Sequence, residues 1–328
     1  MEGWRGKELG GYRLVVLRAG DAHDARFDAT AADGAAATVR LLAPPGPDDR
    51  WFAERVAREL GRYVGVTGPH LAPLLAVGVD DGRAYLVGPP LHGESLRARL
   101  GAPLPLAEVV ALLDPLAAAL DALHARWLPH GGVRPEALLL TANGPFLCDA
   151  GLMSALEGAA RRAPGGVSAA PRPDPYRAPE NASSTLRDPR ADIYALAALA
   201  WAALTGQPPA PASTGGDTAA PAGLPPALVA ALRRGLARSP YERPERASAF
   251  IATLRDAAPG DTMPPSPAPP IPTPPMLAPA APSASHAPEP RSVPASAAPA
   301  PPPMPSPSAT TRPEPPPPPR MATPPAAP

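Results

Sequence analysis

Apolar and polar residues alternate along five short stretches in the first ninety residues of the chain. Alternation with a period of two is typical of half-buried strands, and it predicts strands at 12–17, 25–30, 37–42, 74–79 and 83–87. The pair Asp33-Gly34 between two of these stretches suits a hairpin turn. The first part of the chain is therefore predicted to form a small antiparallel sheet.

Apolar spacing of three and four residues predicts helices elsewhere. Within 51–63, Phe52, Val56 and Leu60 recur every four residues and indicate a helix among the strands. Beyond residue 91 the helical pattern dominates, and it predicts helices at 106–123, 192–204, 226–236 and 247–254. A small sheet followed by a larger helical part predicts an α+β fold of two lobes with a cleft between them.

The chain changes character near residue 259. Residues 261–328 contain half of the 56 prolines and few side chains that could bury surface, so a disordered proline-rich tail is predicted at 259–328. The folded domain is predicted at 12–258, with an N-lobe at about 12–90 and a C-lobe at about 91–258. The tail is either a ligand for proline-recognition domains or an unselective spacer, and its composition leaves both open.

Charge, apolar run length and cysteine content limit which partners and which compartment the sequence predicts. The net charge is zero and no Lys/Arg-rich block occurs, so the chain lacks the basic surface of a nucleic-acid-binding protein. No run approaches the roughly 18 apolar residues of a membrane span. Cys148 is the single cysteine and the first residues lack the apolar core of a signal peptide. These features predict a cytoplasmic protein whose partners are other proteins.

Several short motifs carry a resemblance to a known family. They are His-Gly-Gly-Val-Arg-Pro-Glu-Ala at 130–137, Asp-Ala-Gly at 149–151, Ala-Pro-Glu at 178–180, and further segments at 123–126, 192–196, 204–209 and 236–244. Their order and spacing resemble those of bacterial Ser/Thr protein kinases over residues 12–256. The resemblance implies a two-lobed kinase-like fold. It also implies a mechanism that depends on a strand lysine, a helix glutamate, a loop Asp and Asn, and a metal-binding Asp.

The loop at 130–137 departs from that family at the positions that carry phosphoryl transfer. His130 aligns with the His of the motif, which serves packing. Gly131 replaces an arginine that holds a phosphorylated loop, and Gly132 replaces the Asp that orients the substrate hydroxyl. Arg134 stands for the loop lysine, and Ala137 replaces the Asn that binds the second metal ion. The loop is therefore degenerate, and no catalytic residue is expected in it.

The positions that would hold ATP and Mg²⁺ are partly retained. Arg40 stands where the family has its strand lysine, and its expected partner is a helix carboxylate, Glu54 or Glu59, a choice that the sequence leaves open. Asp149 keeps the metal-binding carboxylate. With Ala137 in place of the second ligand, a metal held by Asp149 alone would depend on the nucleotide phosphates. No cofactor is required by these residues, and weak ATP binding stays open.

The loop over the phosphates and the hinge between the lobes also affect whether ATP can bind. The loop that should cover the phosphates retains only Gly20, and Asp21 and Asp24 in it would repel phosphate. In the hinge between the lobes, proline removes donors but not acceptors, so the Pro89 carbonyl and the Leu91 N–H that would face adenine survive. An adenine-shaped pocket without a phosphate clamp is predicted, with Gly88 leaving space behind it.

The retained motif residues are structural ones. The resemblance implies a buried ion pair between Glu180 and Arg243, and it places Asp192 as a cap on the backbone of the loop at 130–137. The segment 152–175 resembles an activation loop. The predicted function is that of a pseudokinase that binds or regulates other proteins, such as an active kinase; the alternative is an atypical Ser/Thr kinase with residual phosphotransfer. A third reading assigns the function to the tail.

Overall fold

The computed structural model describes residues 2–44, 49, 51–162, 173–183, 188–212, 221 and 223–257. The chain divides into two units, Met1–Pro264 and Pro265–Pro328, and every described residue belongs to the first. The proline-rich tail predicted at 259–328 lies outside the described residues, as does most of the second half of the segment 152–175.

A six-stranded antiparallel sheet forms the first lobe. Its strand order is β1-β2-β3-β4-β6-β5, and its strands are β1 Glu8–Leu9, β2 Tyr12–Gly20, β3 Asp24–Ala31, β4 Ala36–Leu42, β5 Ala76–Asp80 and β6 Arg83–Gly88. The five predicted strands are confirmed. The predicted hairpin joins β3 to β4, where Gly34 adopts a φ of +88°.

The two faces of β4 explain how the sheet positions the cleft. Val39 and Leu41 are fully buried in a cluster with Phe27 on one face. Thr38 and Arg40 point the other way, because successive side chains of a strand alternate between faces, and both line the cleft. The alternation that predicts the strand therefore also places Arg40 at the cleft.

Helix α1, Phe52–Leu60, packs beside β5 and β6 and continues as a 3-10 turn at Gly61–Tyr63. The predicted four-residue spacing is confirmed, since Phe52, Val56 and Leu60 are all buried and pack with residues of the sheet. Near the start of α1, Arg55 forms a buried ion pair with Asp49 at 2.5 Å.

The second lobe is helical. It contains α2 Leu96–Arg99, α3 Leu106–His124, α4 Leu152–Arg161, α5 Glu180–Ser183, α6 Arg190–Thr205, α7 Pro226–Gly235 and α8 Ala247–Asp256, with a small sheet of β7 Glu94–Ser95, β8 Leu138–Thr141 and β9 Gly144–Leu147. Every residue of α6 from Ala191 to Leu204 is buried. A helix that is buried on all sides forms the centre of its lobe. The predicted α+β fold of two lobes is confirmed.

Helix α4 was not predicted, because the segment from residue 152 resembles an activation loop. Leu152, Ala155 and Ala159 of α4 are buried in the same cluster as α1. Their spacing of three and four residues was present in the sequence, and Leu156 packs against the same cluster, but the resemblance to an activation loop outweighed this pattern. The packing of α4 against α1 supplies the burial that such a short helix needs.

A charged pair ties the segment after α4 to the end of the lobe. Arg243 donates from Nη1 to Glu180 Oε1 at 2.6 Å and from Nη2 to Glu180 Oε2 at 2.8 Å. The Arg243 side chain is fully buried, and it also donates to the carbonyls of Arg190 and Ala237. The ion pair expected between these two residues is present, and it joins α5, α6 and the segment before α8.

This pair yields a stability prediction. Glu180→Ala should lower the free energy of unfolding by about 3–5 kcal/mol, because it leaves the Arg243 guanidinium buried without its counter-charge. Urea unfolding followed by circular dichroism measures the effect. Asp114→Ala is the matched control: it breaks the Arg255–Asp114 pair, whose side chains are more than half exposed, and should cost under about 1 kcal/mol. Equal losses for the two variants would contradict the prediction.

Candidate functional site

A cavity of about 140 Å³ lies where the sheet meets the helical lobe. Arg26 and Arg40 line it from the sheet, Gly88, Pro89 and Leu91 from the connection between the lobes, and Asp149 from the loop before α4. The cavity therefore gathers the four residues that the resemblance assigns to a nucleotide cleft: Arg40, Pro89, Leu91 and Asp149.

Arg40 binds two carboxylates, neither of which belongs to a helix. Its Nε and Nη2 donate to the two oxygens of Asp24 at 2.7 and 2.5 Å, and its Nη1 donates to Asp149 Oδ2 at 2.6 Å. The expected pairing with Glu54 or Glu59 is therefore wrong. Arg26 lies opposite Arg40 in the β3–β4 ladder, and Asp24 lies two residues before Arg26. Asp24 is therefore a diagonal cross-strand neighbour, and its carboxylate binds the Arg40 guanidinium. Glu54 lies on the exposed side of α1.

Asp149 accepts from two arginines at once. In addition to Arg40, Arg26 donates from Nη2 to Asp149 Oδ2 at 2.9 Å. Burial alone would raise the pKa of Asp149, but the charges of Arg40 and Arg26 outweigh it and hold this pKa below its usual value. The carboxylate is ionised and already neutralised by cations that belong to the chain.

The set of four charged side chains is balanced. Arg26 and Arg40 contribute two positive charges, and Asp24 and Asp149 contribute two negative ones. Burial alone would lower the pKa of Arg40, yet the two carboxylates raise it above its ordinary value, so this guanidinium stays charged. We call Arg26, Arg40, Asp24 and Asp149 the cleft ion cluster.

The turn between β2 and β3 uses its own backbone donors. Asp21 Oδ1 accepts from the N–H of His23 at 2.7 Å and from the N–H of Asp24 at 3.0 Å. The N–H of Asp21 in turn donates to the Asp24 carbonyl at 2.9 Å. In this position a phosphate-covering loop would offer free N–H groups. In this chain the Asp21 carboxylate already accepts from the N–H groups of His23 and Asp24.

The connection between the lobes also uses one of its own backbone donors for an internal hydrogen bond. The N–H of Leu91 donates to the carbonyl of Pro89 at 2.9 Å. These are the two groups expected to face adenine, and the structure pairs them with each other. The sequence prediction that both survive is correct for their presence; the Leu91 N–H is already used, whereas the Pro89 carbonyl keeps a second lone pair. Pro89 and Pro90 fix two consecutive φ angles, which favours such a tight turn.

The loop at 130–137 is anchored by Asp192, which lies at the start of α6. Its carboxylate accepts from the N–H of His130 at 2.6 Å, from the N–H of Gly131 at 2.7 Å and from Nε2 of His124 at 2.8 Å. Burial would raise the pKa of Asp192, but these donors lower it overall. The backbone cap expected from the sequence is present.

His130 is buried and fixes the loop to the strand before α4. Its Nε2 donates to the carbonyl of Cys148 at 2.9 Å, and its Nδ1 accepts from the N–H of Gly132 at 3.3 Å. Burial lowers the pKa of His130, so the imidazole is neutral at pH 7. The ring serves packing and loop geometry.

Side chains of α4 fill the space beside the two glycines of the loop. A Cβ on Gly132 would lie 2.7 Å from Cγ and 3.0 Å from Cβ of Met153, and a Cβ on Gly131 would lie 2.0 Å from Oγ of Ser154. Gly131 also has a φ of +69°, which disfavours any residue with a Cβ. As α4 is placed, neither an arginine at 131 nor an aspartate at 132 fits.

The two remaining loop positions carry neither a carboxylate nor an amide oxygen. Arg134 forms an ion pair with Asp174, and its side chain is about one third exposed. Ala137 is buried at the end of a 3-10 turn, Pro135–Ala137, and has no oxygen with which to bind a metal ion. Within the part of the chain that the structure describes, no group of three His, Cys, Asp or Glu side chains is placed to hold a metal.

Sequence reasoning missed five residues of the site: Asp24, Arg26, Tyr63, Met153 and Ser154. Asp24 was noted only as a charge that repels phosphate, although its position near Arg40 follows once the β3–β4 register is known. Tyr63 lines the cavity and donates from its hydroxyl to the Pro129 carbonyl at 2.6 Å. Met153 and Ser154 become visible only when α4 is recognised as a helix.

Comparisons with known proteins agree with the geometry. Residues 45–253 match the model of the protein kinase domain family. The chain is similar to the Ser/Thr protein kinase PknD of Mycobacterium tuberculosis, with 32% identity over 276 residues, 77% of this chain and 40% of that protein. PknE of Mycobacterium bovis is also 32% identical, over 74% of this chain and 45% of its own length. The chain thus spans less than half the length of these relatives.

The solved structures include the kinase domain of PknI from Mycobacterium tuberculosis. It superposes with a TM-score of 0.64 at 26% identity, over 77% of this chain and 98% of that domain. Among the described helices, none has both the length and the apolar character that a membrane crossing requires.

The contact between Gly132 and Met153 can be tested through stability. Gly132→Ala should lower the free energy of unfolding by about 1–3 kcal/mol, because the new methyl group overlaps Met153. In a Met153→Ala background the same substitution should cost less, so a double-mutant cycle should show a favourable coupling. Gly158→Ala in α4 is the control, since its Cβ meets only Arg162 Nη1 at 3.5 Å. That change should stabilise by about 0.5–1 kcal/mol. Additive costs at 132 and 153 would contradict the packing described.

Thiol reactivity provides a second test. Burial raises the pKa of Cys148 to about 12, whereas a free cysteine has a pKa of about 8.5. At pH 8 the native chain should therefore react with an aromatic disulfide reagent about a thousandfold more slowly than the urea-unfolded chain, since only the thiolate attacks. The single cysteine makes the comparison direct. Native and unfolded rates within tenfold of each other would contradict this environment.

Proposed function

The chain belongs to the protein kinase domain family, and from that premise we propose that it is a pseudokinase that works as a protein-binding or regulatory module in bacterial Ser/Thr kinase signalling. The division of the chain into a kinase-like domain at 12–258 and a proline-rich tail at 259–328 is part of the proposal. So is a cytoplasmic location, which suits a chain whose single cysteine cannot form an internal disulfide.

The packing of Met153 against Gly132 carries the proposal. In the family, an aspartate at this position orients the hydroxyl that receives the phosphoryl group. Here the position has no side chain, and the space for one is taken by α4. Loss of the aspartate and closure of its site support a loop that does not act as a base.

The residues of the cleft do not fit ATP with Mg²⁺. The hinge donor and acceptor are bonded to each other, and the turn above the cleft bonds its N–H groups to Asp21. Asp149 would have to exchange Arg40 and Arg26 for a metal ion, and a dication beside two guanidinium groups would be repelled. Each of the three interactions of a bound nucleotide would first require an existing bond to break.

The combined effect on catalysis is large. Removing one base or one metal ligand typically costs a few kcal/mol of transition-state stabilisation, or several orders of magnitude in rate. This chain lacks a base at 132, a second metal ligand at 137 and a free carboxylate at 149. Such losses leave little phosphotransfer, which disfavours the alternative of an atypical Ser/Thr kinase.

A surface groove near α4 supports a role in binding proteins. It has a volume of about 490 Å³ and is lined by Trp127, Arg62 and Arg162. Trp127 is 80% exposed and has a φ of +56°, a backbone conformation that bulky residues rarely adopt and that clusters at functional sites. Exposed tryptophan and arginine side chains are common energetic centres of protein interfaces.

A phosphotransfer assay tests the proposal. The purified full chain is incubated with γ-labelled ATP, with Mg²⁺ or Mn²⁺ and a generic protein substrate. We expect no label transfer above that of the Asp149→Asn variant, and a thermal unfolding midpoint that nucleotide leaves unchanged. Transfer that depends on Asp149 would overturn the pseudokinase assignment and restore the residual-kinase alternative.

The tail requires its own comparison. If the domain binds partners, a chain truncated at residue 258 should keep most of its affinity for an active Ser/Thr kinase domain, while Trp127→Ala should weaken it at least tenfold. Loss of all binding on truncation, with Trp127→Ala unchanged, would instead assign the interaction to the tail.

A further inference from the structure

The cavity between the lobes is lined mainly by apolar side chains, with three charged residues among them. The interior is formed by aliphatic side chains of both lobes, and five of them are at least nine-tenths buried: Val66, Leu71, Leu86, Val87 and Leu123. The charged residues that line the cavity are Arg26, Arg40 and Asp149. A mainly apolar lining with a few polar groups is typical of a small-molecule site.

The charged and polar groups of the lining do not require a charged ligand. Arg26, Arg40 and Asp149 are paired within the cleft ion cluster, and the hinge N–H of Leu91 is used by Pro89. The Cys148 thiol is protonated because burial raises its pKa to about 12. A ligand with a formal charge would have to break existing ion pairs, and an uncharged ligand would not.

The size of the cavity limits what fits. Its volume of about 140 Å³ is close to that of an apolar cavity of about 150 Å³ that binds benzene. One six-membered ring with a short substituent matches this volume. A purine with its ribose is larger, and the Leu91 N–H that would bond a ring nitrogen is already used by the Pro89 carbonyl.

Because Gly88 has no side chain, the part of the cavity beside it stays open. Gly88 lies at the end of β6, opposite Thr38, and a Cβ placed on it would meet only the Pro73 carbonyl, at 3.6 Å. Its backbone conformation is an ordinary one, so a larger residue could be built there without strain. Any longer side chain at 88 would extend into the cavity that Gly88 lines.

We propose that this cavity is a binding site for a small uncharged aromatic molecule of one ring. The proposal rests on the proposed function, because the ligand would occupy a cleft that ATP does not use. Its driving force is burial of the ring against aliphatic side chains, and the Thr38 hydroxyl at the wall can serve one polar substituent.

Binding is measured with defined probes on the full chain. Toluene and benzyl alcohol are titrated while methyl resonances of Val87 and Leu71 and the thermal unfolding midpoint are followed. Saturable shifts of both methyl groups and a raised midpoint are expected for both probes. Benzoate, which has the same ring and a negative charge, and adenosine should bind at least tenfold more weakly.

Two variants localise the site. Gly88→Leu should raise the unfolding midpoint by filling the cavity and should weaken toluene binding at least tenfold. Ala72→Val, at another point of the cavity wall, should act in the same direction if the leucine is not accommodated. Val79→Ala, on the exposed edge strand β5, should leave binding unchanged.

The outcomes separate this inference from the proposed function. Absence of saturable binding of toluene and benzyl alcohol, or equal binding by the wild type and both filled variants, would overturn the inference alone. Tighter binding of adenosine than of toluene would also overturn it. Phosphotransfer from ATP would contradict the proposed function whether or not the probes bind.

Discussion

The ion pair between Arg40 and Asp149 is the interaction on which the state of the cleft depends. A metal-binding carboxylate in a kinase cleft needs a cation, and in an active enzyme the nucleotide brings it. In this chain Arg40 and Arg26 supply the positive charge themselves, and Asp24 balances the remainder. The positive and negative charges of the cleft ion cluster therefore balance without a ligand. Because Arg40 belongs to the sheet and Asp149 to the helical lobe, the same bond also joins the two lobes.

The catalytic loop is changed by packing as well as by loss. Gly131 and Gly132 have no side chains, and α4 lies in the space that they leave, with Ser154 and Met153 against them. The other face of α4 packs on α1 through Leu152, Ala155 and Ala159. The loop, α4 and α1 thus form one packed unit. Restoring an aspartate at 132 would disturb that unit, so the effects of substitutions at 132 and 153 depend on each other.

Much of the fold could be predicted from the sequence because it depends on local periodicity. The strands of the first lobe and α1, α3, α6, α7 and α8 follow from apolar spacing, and the Glu180–Arg243 pair follows from motifs in register. What failed depends on geometry between elements. The partner of Arg40 is set by the register of β3 against β4, and the Pro89–Leu91 bond by two fixed proline φ angles. Helix α4 carries an apolar spacing of its own, but the resemblance of this segment to an activation loop hid it, and its burial depends on contact with α1.

The retained buried polar residues explain why the scaffold persists where motif residues of the family are replaced. Asp192 is 1% exposed, and a buried carboxylate without donors would destabilise the fold by several kcal/mol. Two backbone N–H groups of the loop and His124 supply the donors. Loss of Asp192 would leave those N–H groups buried and unpaired. Loss of a catalytic aspartate leaves no buried N–H group without a partner. Stability therefore maintains the shape of the loop independently of activity.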